Sequence, residues 1–320
     1  MTQNNRKSDE SVGSGPGGHH KKLVTRKPPT ASAEDLQRRN APLRPNRSLN
    51  RSNRMGIPTE DEQLLKRPKE VPLDFTRSDT WRVLRIMGEF VNGFDTLADV
   101  GAAVTLFGSA RITEEDPMYW KAVELGKSLA EEGFAVITGG GPGIMEAGNR
   151  GAREAQGISI GCNIELPFEQ GTNAYVDVSI NFRYFFVRKT MFMKYSEGFV
   201  IFPGGFGTMD ELFEALTLIQ TGKVRNFPLI LFGSRYWSGL LNWIKETMLT
   251  EKKIAAEDLD LLIVTDSVDE ACQTILRSYN EGLQNGVESE AESKIQAELL
   301  DDPGILRPPV VHKEPAHSAD

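Results

Sequence analysis

The chain has 320 residues, a formal net charge of −8 and only 2 cysteines and 4 histidines, a length that admits one large domain or two small ones. It contains no run of 18 apolar residues, and residues 1–20 hold no apolar leader core, so a soluble, cytoplasmic protein with no membrane partner is expected. All four histidines (His19, His20, His312 and His317) lie near the termini, which leaves the central chain without a Ser-His-Asp triad, a Cys-His pair or a histidine-ligated metal.

Residues 1–72 lack an apolar period and are dense in Gly, Pro, Ser, Asn and Arg. They carry 15 Lys and Arg against 8 Asp and Glu, a net +7 that leaves −15 on the remainder. Such an arm reads as solvated and disordered. Weak contact with nucleic acid is the sharper but less favoured alternative. Residues 284–320 are again polar and end Pro-rich, a second disordered tail. Residues 73–283 remain, enough for a single well-buried domain.

Asp79 can cap a helix in which Trp81, Leu84, Met87, Val91, Phe94 and Leu97 recur at spacings of three and four. Residues 104–107 form a first strand running into a Gly-Ser-Ala-Arg turn. A helix over 117–132 follows, with Pro117 in its first turn. Residues 134–137 form a second strand that ends in a glycine loop, and a helix spans 144–155. Strands at 158–161 and 176–179, a helix over 182–195 and a strand at 199–202 come next. A helix restarting at Thr208, a strand at 228–232, a helix near 236–249, a strand at 262–264 and a helix over 268–281 complete the series. Strands that are short continuous apolar runs, alternating with helices, indicate an α/β fold. It is a Rossmann-like, mostly parallel sheet with helices on both faces, whose ligands bind at the carboxyl ends of the strands. Cys162 and Cys272 fall in a strand and a helix and read as buried free thiols.

Two glycine loops carry the chemistry. In the segment PGGFGTMDE, Pro203 ends an apolar strand, Gly204, Gly205 and Gly207 turn the chain, and a helix N-terminus follows. Glycines permit positive φ and leave backbone N–H groups open, and the helix dipole favours an anion there. The second loop, with Gly139, Gly140, Gly141 and Gly143, also opens a helix. It is neither a Walker loop, having no Gly-Lys-Ser/Thr, nor a dinucleotide fingerprint, since the third glycine would fall at Ile144. Two such loops on one sheet point to a nucleotide or sugar phosphate. Thr208 and Glu211 match a capping box, a purely structural role that competes with catalysis by Glu211. Arg188 and Lys189 sit in an apolar helix, where a buried arginine needs an anionic partner such as Glu211 or a phosphate. Arg183, Asn181, Asn149 and Glu146 are weaker candidates.

PGGFGTMDE, with Arg188-Lys189 upstream and GGGPGIMEAGNRGA from Gly139, resembles the Lonely Guy family of nucleoside 5′-monophosphate phosphoribohydrolases, formerly labelled lysine decarboxylase-like. The resemblance spans about residues 73–283 and suggests the longer subgroup of the family. It implies a homodimer or larger assembly. It also implies hydrolysis of a purine nucleotide, cytokinin-type or AMP, to free base and ribose 5-phosphate. Carried onto this chain, it makes Arg188 and Glu211 catalytic and gives the phosphate turn to Gly204, Gly205, Gly207 and Thr208. Gly139, Gly140, Gly141, Gly143, Met145, Lys189 and Ser109 face the nucleotide. Ala110 stands where many members have a second serine. No cofactor or metal is implied, and pyridoxal-dependent decarboxylation finds no cofactor-lysine motif here. The alternative is a non-catalytic nucleotide-binding sensor or carrier on the same fold. A dinucleotide-dependent oxidoreductase is less favoured because its fingerprint spacing is absent.

Overall fold

The computed structural model describes residues 59–65, 78–166 and 171–301, with backbone alone beyond residue 285. Of the proposed disordered arm and tail, residues 1–58, 66–72 and 302–320 lie outside the described residues, whereas Glu60–Leu65 and residues 284–301 are helical. In chain order the elements are α1 (Glu60–Leu65), α2 (Asp79–Leu97), β1 (Ala103–Phe107), α3 (Pro117–Glu131), β2 (Ala135–Thr138), α4 (Ile144–Glu154), β3 (Ser159–Ile164), β4 (Val178–Phe182), α5 (Phe185–Tyr195), β5 (Phe199–Ile201), α6 (Phe206–Gln220), β6 (Leu229–Phe232), α7 (Ser234–Trp243), β7 (Leu262–Thr265) and α8 (Val268–Asp301). A π-helical turn (Ile244–Leu249) continues α7, and a 3-10 turn (Glu257–Leu261) leads into β7.

The seven strands form one sheet in the order β4-β3-β2-β1-β5-β6-β7, and every pairing is parallel. The α/β, Rossmann-like architecture expected from the apolar runs is therefore present. Every residue of β1, β2, β5 and β6 is buried, as a sheet covered on both faces requires. Alternate side chains feed two cores. One, beneath α2, α5, α6 and α7, holds Phe107, Ile137, Phe192, Ile201, Leu212 and Trp237. The other, beneath α3, α4 and α8, holds Leu106, Leu125, Val136, Ile144, Val200 and Ile275. Fully burying a side chain of this kind contributes about 1.5–3 kcal/mol.

β1 lies at the centre, with Val104 opposite Val136 of β2 and Leu106 opposite Val200 of β5. The chain winds outward from β1 to β4, returns to β5, and winds outward again to β7. The crevice between β1 and β5 is thus the topological switch point, where open parallel sheets bind ligands.

Several features differ from the sequence pattern. Ser78, not Asp79, caps α2, its side chain accepting from Trp81 N at 3.3 Å. The apolar stripe Trp81, Leu84, Met87, Val91 and Phe94 stays exposed, while Ile86, Phe90 and Leu97 face the core. α8 runs on to Asp301. No helix of the described residues is long and apolar enough to cross a membrane. Cys162 and Cys272 are buried and free.

Candidate functional site

The loops after β1, β2 and β5 meet at the carboxyl edge of the sheet. They line a cavity of about 960 Å³, within the size range of small-molecule sites. Ser109 joins the three loops. Its amide donates to Pro203 O at 2.9 Å, and its carbonyl accepts from Ile144 N at 3.1 Å. Among the residues given to the nucleotide by resemblance, Ser109, Gly139, Gly141, Met145, Gly204, Gly205, Gly207 and Thr208 line the cavity, together with Arg188 and Glu211. Gly140, Gly143 and Lys189 do not line it.

The two glycine loops use glycine differently. Gly140 and Gly143 both have φ +73°, the left-handed region the turn demands, and a Cβ on Gly140 would meet Asn163 Oδ1 at 1.8 Å. In the PGGFGT turn none of the glycines has positive φ, contrary to expectation. Gly204 is required there by packing, because a Cβ would lie 2.1 Å from Thr208 Oγ1. Cβ atoms on Gly205 and Gly207 would meet no atom within 4 Å. Those two glycines therefore leave the turn open.

α6 begins at Phe206, two residues before the expected restart, with Gly205 as N-cap and no side-chain cap. Thr208 is thus the third residue of the helix and Glu211 the sixth, so the capping-box role for these two is set aside. The amides of Phe206, Gly207 and Thr208 take no hydrogen-bond partner among the described residues. Uncapped amides at the positive end of a helix are donors for an anion. Tyr236, from the start of α7, donates its hydroxyl to Gly204 O at 2.5 Å and holds the turn from outside.

Glu211 is only 6% exposed. Burial pushes its carboxyl up to about 7, against the lowering influence of Lys189 and Arg188. The helix dipole would favour the ionised carboxylate, but one turn further along α6 than the uncapped amides, dehydration outweighs it. No cation of the described residues lies within 4.0 Å of Glu211. Arg188 is instead fixed by the backbone, its Nε donating to Cys162 O at 2.7 Å while its guanidinium lies 4.9 Å over the Phe192 ring. A Cβ on Gly139 would meet Arg188 Nη2 at 2.5 Å and Met145 Sδ at 2.6 Å, so Gly139 makes room for the arginine to reach the cavity. Burial holds the guanidinium below its ordinary value, and the Glu211 charge partly restores it. Lys189 is held behind α6 by Glu214 and by Asp210 at 2.9 Å. Burial works against its charge, but these bonds win and push the ammonium above its ordinary value.

The weaker candidates turn out to be braces. Buried Asn149 accepts from Thr138 Oγ1 at 2.6 Å and donates to Ile160 O at 3.1 Å. Asn173 extends this support, its side chain donating to Gly140 O at 3.2 Å, Gly141 O at 3.0 Å and Asn149 Oδ1 at 3.0 Å. Glu146 accepts from the Tyr119 hydroxyl, Asn181 from Asn163, and Arg183 lies 3.7 Å from Glu165. Sequence reasoning missed several lining residues: Ile112, Asn163, Leu166, Phe185, Phe206 and Tyr236. Asn163 was detectable as a polar residue ending an apolar strand. Tyr236 lies 32 residues from its partner Gly204 and carried no local signal.

Fold and site together define an α/β protein with an uncapped helix N-terminus, a buried carboxylate and a half-buried arginine at the switch point of an all-parallel sheet. Residues 145–275 match the family model described as possible lysine decarboxylase. Over 153 residues the chain is 28% identical to the cytokinin riboside 5′-monophosphate phosphoribohydrolase of Mycobacterium tuberculosis, covering 47% of this chain and 81% of that one. Over 149 residues it is 29% identical to the phosphoribohydrolase LOG of Oryza sativa, covering 45% of this chain and 60% of the relative. The molybdenum cofactor carrier protein of Chlamydomonas reinhardtii is 25% identical with a TM-score of 0.42, covering 56% of this chain and 97% of the carrier. The resemblance to the Lonely Guy family carried by the paired glycine motifs is borne out by the family model and the curated relatives.

Pyridoxal chemistry does not fit this donor set. A Schiff base needs an amine, and no lysine of the described residues lines the cavity.

Proposed function

We propose that the chain hydrolyses the N-glycosidic bond of a purine nucleoside 5′-monophosphate, releasing the free base and ribose 5-phosphate. The observation that carries this reading is the convergence, on one cavity, of the unpartnered amides of Phe206, Gly207 and Thr208 with the isolated carboxylate of Glu211. The amides suit a dianionic 5′-phosphate, whose binding energy then aligns the ribose.

Cleavage passes through an oxocarbenium-like sugar, and a carboxylate beside it lowers the barrier. Glu211 takes that role in its ionised form and accepts a proton from the attacking water. The water oxygen bonds to C1′ as the C1′–N9 bond breaks, the electron pair of that bond leaves with the base, and the proton that Glu211 took from the water passes to the base, which restores the carboxylate. Arg188, free of an ion pair with Glu211, offers its remaining N–H groups to the nucleotide. The apolar side chains of Ile112, Leu166, Phe185 and Phe206 at this cavity suit a base with an apolar N6 substituent.

The test is to incubate the purified chain with AMP and with N6-isopentenyl-AMP and follow the free base by chromatography. Release from either, lost in Glu211→Gln, supports the reading, and the ratio identifies the preferred base. Thermal stabilisation by nucleotide without any release would favour a binding module instead.

A further inference from the structure

α5 carries Phe185 and Arg188 to the cavity, yet its own N-cap residue, Tyr184, makes no side-chain cap. Its first amide and the two that lead into it are bonded from far away in the chain. Glu89 of α2 accepts from Arg183 N at 3.2 Å and 3.1 Å through its two oxygens, and from Tyr184 N at 3.4 Å. Asp61 of α1 accepts from Phe185 N at 3.1 Å through its Oδ2. Glu60 pins α1 in place: it lies 2.9 Å from Arg85 Nη1 and 3.8 Å from Arg82 Nε, and accepts from the Tyr184 hydroxyl at 3.3 Å.

Carboxylates at a helix N-terminus satisfy orphan donors and complement the dipole. These two converge on the one helix whose fourth residue is the cavity arginine. Phe185, the residue Asp61 holds, lies one turn before Arg188 and lines the cavity with it. Both carboxylates precede residue 145, where the match to the family model begins.

We propose that Asp61 and Glu89 are positioning residues: they fix the first turn of α5 and, through it, hold Arg188 against the bound nucleotide. The inference rests on the reading that Arg188 meets a nucleotide.

The experiment compares the full chain with Asp61→Ala, Asp61→Asn and Glu89→Ala by three measurements: hydrogen exchange of the α5 amides, AMP affinity by calorimetry, and base release. Loss of one cap should speed exchange over residues 185–191 about fivefold. AMP affinity should weaken by a similar factor, and kcat/KM should fall in step. Asp61→Asn, whose side-chain oxygen still accepts, should restore most of both. Faster α5 exchange with AMP affinity intact, or unchanged exchange in both alanine variants, would overturn the proposal. So would a wild-type chain that binds AMP no better than Arg188→Ala. Should Glu89→Ala fail to fold, Asp61→Ala and Asp61→Asn decide alone. If the wild type binds AMP but releases no base, the hydrolase reading fails, while exchange and affinity still test the positioning role.

Discussion

At the scale of single residues, Glu211 is a carboxylate kept short of partners in a place where its charge is costly. Its pKa near 7 in the fold, against an ordinary 4.5, means that the fold disfavours the ionised form. Stability is fully present below the unfolded value and is lost as pH rises through about 7. Glu211→Gln should therefore melt at or above the wild-type temperature at pH 8, with a gain of at most about 3 kcal/mol. The same variant should lose base release by a factor of about 10³. The acid limb of kcat/KM in the wild type should show an apparent pKa near 7, because the working form is the carboxylate. A Glu211→Gln variant that melts much lower while keeping its activity would reduce Glu211 to a structural residue. Tyr236 offers a second residue-scale test. Removing its hydroxyl in Tyr236→Phe frees Gly204 O and should raise KM for AMP severalfold with little change in melting temperature, because Tyr236 is exposed at the cavity edge. An unchanged KM would leave that bond without a role in the turn.

At the scale of elements, the two glycine loops show what a motif states and what it leaves out. That both loops and the β1 turn would share an edge followed from the alternation of apolar runs with helices, which fixes a parallel sheet with all carboxyl ends on one side. The start of α6 did not follow. The sequence pattern made Thr208 a cap, whereas Gly205 ends the turn and the helix absorbs Phe206 and Gly207. Local propensity disfavours glycine inside a helix, but Gly207 stands at the second position of α6, in its first turn. The split between Arg188 and Lys189 was equally hidden, because adjacent residues on a helix point about 100° apart and only the placement of α6 decides which one meets the cavity. The unequal roles of the glycines can be tested directly. Gly204→Ala should destabilise the fold by about 1–3 kcal/mol, since its methyl group collides with the buried Thr208 side chain. Gly207→Ala meets no atom and should melt as the wild type does or slightly higher, yet lose about tenfold in AMP affinity as its methyl group enters the open turn. Equal melting temperatures for the two variants would refute this division of labour.

At the scale of the whole molecule, α2 presents a surface that the sheet does not use. Leu84, Met87, Val91 and Phe94 follow one another at spacings of three, four and three, the interval of a helix–helix seam, and Val91 is 67% exposed. Sequence reasoning found the helix from this stripe by its spacing. Both faces of α2 are apolar, and periodicity alone does not say which one the domain takes: Ile86, Phe90, Gly93 and Leu97 go inward because Gly93 lets the helix close on Met191, whose Sδ would lie 2.8 Å from a Cβ there. A second copy of the chain is the expected occupant of the outer face. A helical stripe is self-complementary about a two-fold axis, and Gly88, within the stripe, would carry a Cβ into open space and so permits close approach. The homodimer or larger assembly implied by the family resemblance would then bring two such stripes together. Light scattering on the purified chain should give a dimer mass or a multiple of it. The double substitution Met87→Glu and Val91→Glu should shift it to the monomer without lowering the unfolding temperature of the domain, because neither side chain reaches the core. A wild-type monomer, or a doubly substituted chain that assembles as before, would move the interface elsewhere and leave the α2 stripe to a different partner.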